Sequence, residues 1–235
     1  MAQTAAHLVD HVIPHVPVRQ WVLSVPIPLR LLLAAQPKLV TPVLQAVNRV
    51  ITRHLLGQAG LKPDKADSGA VTLIQRFGSA ANLNIHLHCL VLDGVYRRSI
   101  DGATDFIEVP EPTDEALQAV LHKIITRLMG LLTLRVVLVE EKGSMYMADN
   151  EGDSDEARVL RPLQAAACTY RIAFGPRAAV RCAADDRQAL EQLCRYITRP
   201  ALATERVQTN AAGQVVHKLK TPWRDGAIDL KILIH

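Results

Sequence analysis

The sequence predicts an α+β domain, in which antiparallel strands carry amphipathic helices. Three observations carry that expectation. "AVTLIQRF" (70–77) and "NIHLHCLVLDG" (84–94) read as two strands joined by the short linker "GSAANL". "PKLVTPVLQAVNRVITRHLLGQAG" (37–60) and "TDEALQAVLHKIITRLMGLL" (113–132) place apolar residues at helical spacing. "ERVQTNAAGQVVHKLK" (205–220) reads as a strand–turn–strand hairpin around "NAAG". With 235 residues, the chain can bury the core of one medium domain, taken here as residues 1–235.

Along the chain, residues 2–12 read as a helix that stops before Pro14. "VRQWVLSVP" (18–26) reads as a strand. In the helix of 37–60, Val43, Val47, Val50, Ile51 and Leu55 form the apolar stripe, and Gly60 is the expected stop. "LKPDKADSG" is a loop. "LDGVY" offers an Asp-Gly turn into a third strand, Val95–Arg98, giving three consecutive antiparallel strands. "DGATDFIEVPEP" reads as an exposed excursion. Thr113 is placed to cap the next helix, with Glu115 in its first turn. "EEKGSMYMADNEGDSDEARVL" reads as a hairpin and a solvated acidic loop, with Ser154 or Asp155 capping the helix after it. That loop lacks the alternating ligands and central glycine of a calcium loop. "ADDRQALEQLCRYITRP" (184–200) is a helix with acids at its start, Arg195 and Arg199 at its end, and Pro200 as terminator.

Hydrophobic residues make up 49% of the chain and charged residues 21%, a globular composition. The richest apolar run, "RLLLAAQPKLV", is interrupted by Gln36 and Pro37, so no membrane span and no membrane partner are expected. "MAQTAAHLVDH" lacks the basic start and apolar centre of a secretory signal, which leads to an expected cytoplasmic location. Cys89, Cys168, Cys182 and Cys194 are widely spaced, as buried reduced thiols would be.

Charge is unevenly distributed. Residues 1–100 hold 10 Lys/Arg against 4 Asp/Glu, residues 101–156 hold 4 against 13, and residues 157–235 hold 13 against 6. Two basic flanks enclose an acidic middle, and flanks that fold together would offer a positive surface to a phosphate backbone. The plainer reading is scattered arginines facing solvent.

The residues that could do chemistry are few. On a strand, alternate side chains share a face, so His86 and His88 sit side by side, roughly 6–7 Å apart at Cα. Two imidazoles so placed can converge on one metal ion; they can equally be hydrogen-bonded histidines at a sheet edge. A third ligand must come from elsewhere, and Gln75 or Gln192 could supply it. Tyr196 stands in the late helix with Arg195 and Arg199 near it and Gln192 one turn earlier. A phenol is a weak nucleophile that neighbouring cations or a polarised phosphorus would help; the plainer role is an amphipathic tyrosine closing a helix. His7, His11 and His15 recur every fourth residue, but Pro14 and Pro17 break that helix, and they read as surface histidines.

Taken together, "LIQRFGSAANLNIHLHCLVLDGVY" and "LCRYITRPALA" resemble the rolling-circle insertion-sequence transposases of the HUH-endonuclease superfamily, closest to the ISCR-like type. The stretch from "DHVIPHVPVRQWVLSVPIPLR" to "KLKTPWRDG" is similar to that family throughout. The resemblance implies a central antiparallel sheet holding the histidine strand, with the tyrosine on a helix packed alongside. It implies that His86 and His88 hold a divalent cation, Mg²⁺ or Mn²⁺, with Gln75 as the third ligand assigned here. It implies that Tyr196 attacks a scissile phosphate in single-stranded DNA at transposon ends, forming a 5′-phosphotyrosine and freeing a 3′-OH. Arg76, Arg195, Arg199, Lys218 and Lys220 are the residues assigned to DNA, and Trp21, Tyr96 and Trp223 are the aromatics open to base stacking. A homodimer is compatible with this reading.

The sequence also departs from the family. Position 200 is proline, which implies a single-tyrosine version. Set against the resemblance, the family's cysteine-rich zinc-binding segment is expected to be missing ahead of residue 1, the link "FGPRAAVRCAADD" to be shortened, and the tail "AIDLKILIH" to diverge after "TPWRDG". The expectation is a copy truncated at both ends and shortened internally. The competing reading is a remnant that binds single-stranded DNA through its basic flanks without cutting it. A small-substrate phosphoesterase is the third, and it lacks carboxylates placed for two metals.

Overall fold

A computed structural model describes residues 2–77, 83–99, 104–135, 138–141, 144–147, 175–198, 207–209, 215–218 and 229–232, with side chains over 3–26, 29–76, 85–99, 104–135, 180–198 and 209. The chain opens with α1 (Ala2–His7), which widens into a π-helical turn over Leu8–Val12, and passes into β1 (Val18–Ser24). Next come α2 (Ile27–Ala35), α3 (Val40–Gln58), β2 (Ala66–Asp67), β3 (Ala70–Phe77), β4 (Leu83–Leu92), β5 (Gly94–Arg98), β6 (Thr104–Glu108), α4 (Asp114–Leu134), β7 (Leu138–Glu141), β8 (Ser144–Met147) and β9 (Gly175–Cys182). The late helix α5 (Arg187–Ile197) leads to β10 (Val207–Thr209), β11 (Val215–Lys218) and β12 (Asp229–Ile232).

The architecture is α+β and antiparallel, as the sequence predicts. The main sheet has the order β3-β4-β1-β9, so the histidine strand β4 lies at its interior with a partner on each side. Its register sets Ser24 opposite His86, Val22 opposite His88 and Gln20 opposite Leu90 on one flank, and Gln75 opposite His86 on the other. Strand alternation then divides the core in two. Trp21, Leu23, Ile85, Leu87, Cys89 and Val91 face α3 and α4, joining Val47, Ile51, Leu55, Leu121, Ile124 and Leu128 in the larger cluster. Val18, Leu90 and Leu92 face the other way, where α1, the π-helical turn after it and α5 contribute Ala5, Val9, Leu190, Cys194 and Ile197.

Local chemistry explains the helix ends. Thr113 accepts from Ala116 N–H at 3.2 Å and Asp186 from Ala189 N–H at 2.9 Å, two N-caps that satisfy otherwise orphaned donors. Gly60, at φ +67°, ends α3: its own N–H reaches Gly57 O at 3.1 Å and Leu61 N–H reaches Leu56 O at 2.9 Å, the paired bonds of a Schellman stop.

Several expectations need correction. The Asp93–Gly94 step does not fold β5 back onto β4. β5 joins a separate three-stranded sheet, β2-β5-β6. An Asp-Gly hairpin turn needs positive φ at its glycine, and Gly60 is the only glycine with positive φ among the described residues. Gly94 serves a different end: a Cβ there would stand 2.2 Å from Ile107 O, so the missing side chain lets β6 close on β5. The supposed excursion after it contains β6. The run broken at Gln36 folds, in its first part, as α2, with Leu29, Leu32 and Leu33 buried. Prolines at 26 and 28 mark that helix start in the sequence.

Helix α4 is also long and apolar enough to cross a membrane by length and composition alone, against the expectation of no such run. Here its apolar stripe (Val120, Leu121, Ile124, Ile125, Leu128, Leu132) is buried against the sheet, while Lys123 and Arg127 lie on its exposed side.

Cys89, Cys182 and Cys194 are buried free thiols, as expected; Cys168 lies outside the described residues. His7, His11 and His15 are exposed, as surface histidines should be. The β7–β8 hairpin and the β10–β11 hairpin are both present, while Ser154 and Asp155 lie outside the described residues. The tail forms β12, which pairs antiparallel with β11.

Candidate functional site

The site is built on one face of β4. His86 and His88 stand two residues apart with ring centroids 4.8 Å apart and planes at 65°. His88 is buried and His86 half-buried. Neighbouring strands hold the inner ring from both sides. Gln20 on β1 brings its Nε2 to 2.8 Å from His88 Nδ1, and Gln75 on β3 brings its Oε1 to 3.3 Å from His88 Nε2.

These contacts fix the chemistry of His88. Burial, and then the neighbouring His86, lower its pKa to about 4, so the ring is neutral near pH 7. With the Gln20 amide nitrogen donating to Nδ1, the proton sits on Nε2 and is donated to Gln75 Oε1. A half-turn of the Gln20 amide reverses this. Its carbonyl would then accept from Nδ1–H and leave the Nε2 lone pair open toward Gln75. The side chain at position 20 therefore sets the tautomer of the buried imidazole. Gln20 was not among the expected site residues. The sequence shows only a polar residue on one face of β1; the register of β1 on β4 is what places it beside His88.

The donor set suits a divalent cation: two imidazoles, one of them held neutral, and an amide oxygen on adjacent strands. Among the described residues, no three His, Cys, Asp or Glu side chains gather to hold a metal; the amide oxygen of Gln75 is the further donor beside His88. Gln75 is beside the pair. Gln192 is exposed on α5.

Tyr196 lies on α5, which covers the same sheet face as the histidines. Leu190, Cys194 and Ile197 seat that helix in the cluster containing Leu90 and Leu92, two and four residues beyond His88 on its strand. The helix is tied at its start as well. The Arg187 guanidinium donates to Ile13 O at 2.8 Å, to Pro14 O at 3.0 Å and to Val9 O, clasping the turn after α1. Tyr196 is 56% exposed, so its phenol is open to a large substrate. Burial, then the neighbouring Cys182, pushes the Cys194 thiol up to about 11.

The residues assigned to DNA are less unified. Arg195 is exposed, but its guanidinium is held by Glu191 at 2.7 Å, one turn back. Arg76 is exposed beside Leu33, Ile85 and Leu87, on the opposite side of the sheet from Gln75. Lys218 lies on β11, and Arg199 and Lys220 lie outside the described residues. Trp21 is buried in the larger core, which removes it from base stacking, and Tyr96 packs edge-on to Phe106 at 5.0 Å. Trp223 lies outside the described residues.

At the far end of β1 and β4, beyond the histidines, a charged cluster closes the sheet. Buried Asp93 accepts from Arg19 at 2.8 and 2.9 Å and from Arg181 at 2.6 Å, joining β1, β9 and the exit of β4. Arg19 Nη1 also donates to Glu111, and Arg181 Nη2 to Glu108.

Comparison with known proteins gives three results. Residues 69–232 match the model of a protein family described as "Putative transposase". The matched span includes residues 227–232 of the tail after "TPWRDG". A metal-free structure of the conjugative relaxase TrwC in complex with OriT DNA is similar at a TM-score of 0.33 and 14% identity, over 76% of this chain and 70% of that one; so slight a likeness carries no argument. No curated relative matches the sequence.

Proposed function

The chain belongs to this transposase family, and from that premise we propose that it nicks and transfers single DNA strands at transposon ends through a covalent tyrosine intermediate. One observation supports this above the others: a histidine pair, its buried member His88 neutral and held from both neighbouring strands, lies on the sheet face that the Tyr196 helix covers.

In the proposed reaction, His86, His88 and Gln75 would hold Mg²⁺ or Mn²⁺, and Gln20, its amide turned so that the carbonyl accepts from Nδ1–H, would keep His88 in the ligating tautomer. When bound, the cation supplies charge neutralisation at the phosphoryl oxygens. Tyr196 Oη attacks the phosphorus and forms a 5′-phosphotyrosine. The P–O3′ bond breaks, and the strand's 3′ oxygen leaves and ends as a hydroxyl; the phenolic proton passes to solvent. The reverse attack by another 3′-OH restores the tyrosine and joins strands, so bond energy is conserved across transfer. Arg76, Arg195, Arg199, Lys218 and Lys220 are proposed to contact the strand, with Arg195 first exchanging Glu191 for phosphate. The proposed location is the cytoplasm.

The test is incubation of labelled single-stranded DNA carrying a transposon end with the protein and Mn²⁺, and then denaturing electrophoresis. The proposal expects a covalent adduct that Tyr196→Phe abolishes and that EDTA or His86→Ala suppresses. Salt-sensitive binding with no adduct under any condition would leave only the non-cutting reading.

A further inference from the structure

We propose a second DNA-binding site on the opposite side of the sheet: the cleft between α3 and α4 takes the phosphate backbone of a single strand. The cleft has a volume of about 700 Å³. Arg49 and Arg53 line it from α3, Lys123 and Arg127 from α4, and Arg135 from the residue that ends α4, with His54 beside them. Among the described residues, no aspartate or glutamate lines it. Among the residues with described side chains, no carboxylate pairs with any of the five cations.

This arrangement opposes local helix chemistry. Arg49 and Arg53 are one turn apart on the same helix face, and so are Lys123 and Arg127. Like charges at that spacing disfavour a helix. Elsewhere several exposed arginines are matched by acids: Arg97 with Asp105, Arg98 with Asp67, Arg195 with Glu191. Two like pairs facing one cleft without a counter-charge are therefore complementary to a polyanion rather than to each other. Arg135 alone has an internal explanation, since a cation at a helix C-terminus suits the helix dipole.

The apolar part of the lining selects among polyanions. Leu131 and Leu134 line the cleft, and Leu134 is 84% exposed. Apolar surface beside phosphate-binding cations suits the sugars and unstacked bases of one strand. A cleft of this size admits a short stretch of a single strand, not a duplex. α3 and α4 pack on the face opposite His86 and His88, so this site would hold DNA away from the point of cutting. The choice of DNA as occupant rests on the transposase reading.

The test measures binding of the full chain to a labelled single-stranded oligonucleotide in EDTA, across a salt series, by fluorescence anisotropy. Arg49→Ala with Arg127→Ala is expected to weaken binding at least tenfold. It should also flatten the dependence of log K on log salt by about 1.4, at about 0.7 per lost phosphate contact. Circular dichroism should show the parent's fold, and Arg97→Ala, outside the cleft, should bind like the parent. Binding is measured in EDTA and cutting in Mn²⁺, so failure of the cutting reaction and failure of this site are read separately. Unchanged affinity and salt slope in the double variant would overturn the proposal, as would competition by a duplex equal to that of the single strand.

Discussion

Gln20 Nε2 lies 2.8 Å from His88 Nδ1, across the ladder that joins β1 to β4. That bond orients the buried imidazole, and outer partners of ligating histidines typically carry about 10–100-fold in metal affinity. Gln20→Leu is expected to lower Mn²⁺ affinity by about that factor. Gln20→Glu, whose carboxylate accepts from Nδ1–H, should preserve it. Calorimetric Mn²⁺ titration of the three proteins checks this, and a Leu variant that binds like the parent would remove the role given to Gln20.

Asp93 is 2% exposed and Arg19 3%, so their pair is shielded from solvent. Removing one partner of such a pair leaves an uncompensated charge, at a cost of about 3–5 kcal/mol. Asp93→Ala is expected to lower unfolding stability by that amount in urea titration. A loss below about 1 kcal/mol would mean that Glu108 and Glu111 already compensate both arginines.

Gly94 has no room for a side chain: a Cβ there would meet Ile107 O at 2.2 Å and Phe106 Cζ at 2.6 Å. The first of these is backbone and cannot swing away. Gly94→Ala is expected to cost about 3 kcal/mol, whereas Gly57→Ala, with open space around it, should be neutral or stabilising. Equal melting temperatures for the two variants would contradict this packing of β5 on β6.

Cys194 reports whether the tyrosine helix is seated. Its pKa is raised to about 11 by burial and by Cys182, so the native thiol stays protonated at pH 8. Alkylation there should be slow in the native protein and fast in urea. The sign for stability comes from a raised pKa. The contribution is fully present below the ordinary thiol value of 9.0 and is lost as pH rises through about 11. Rapid native alkylation at pH 8 would show that α5 does not rest on Leu90 and Leu92.

Much of this was legible in the residues because it depends on local periodicity and capping. The alternation in "NIHLHCL" put both imidazoles on one face, and Thr113 announced the start of α4. What escaped depends on tertiary partners. Asp93–Gly94 carries the signature of a tight hairpin, yet Asp93 is claimed by two arginines from other strands and Gly94 by the backbone of β6. Gln20 looks like any strand amide until the β1–β4 register puts it beside His88. Trp21 looked available to a base, but alternation turns it into the core. The basic cleft joins residues 49–54 to residues 123–135, a pairing that only the packing of α3 on α4 creates.

The central claim is that Tyr196 and the pair His86/His88 act as one centre. Its most direct test is peptide mapping, by mass spectrometry, of protein recovered after reaction with single-stranded DNA and Mn²⁺. The account predicts a nucleotide mass on the peptide holding Tyr196, absent from the His86→Ala protein. A nucleotide found on another tyrosine, or on Tyr196 at undiminished yield when both histidines are replaced, would contradict it.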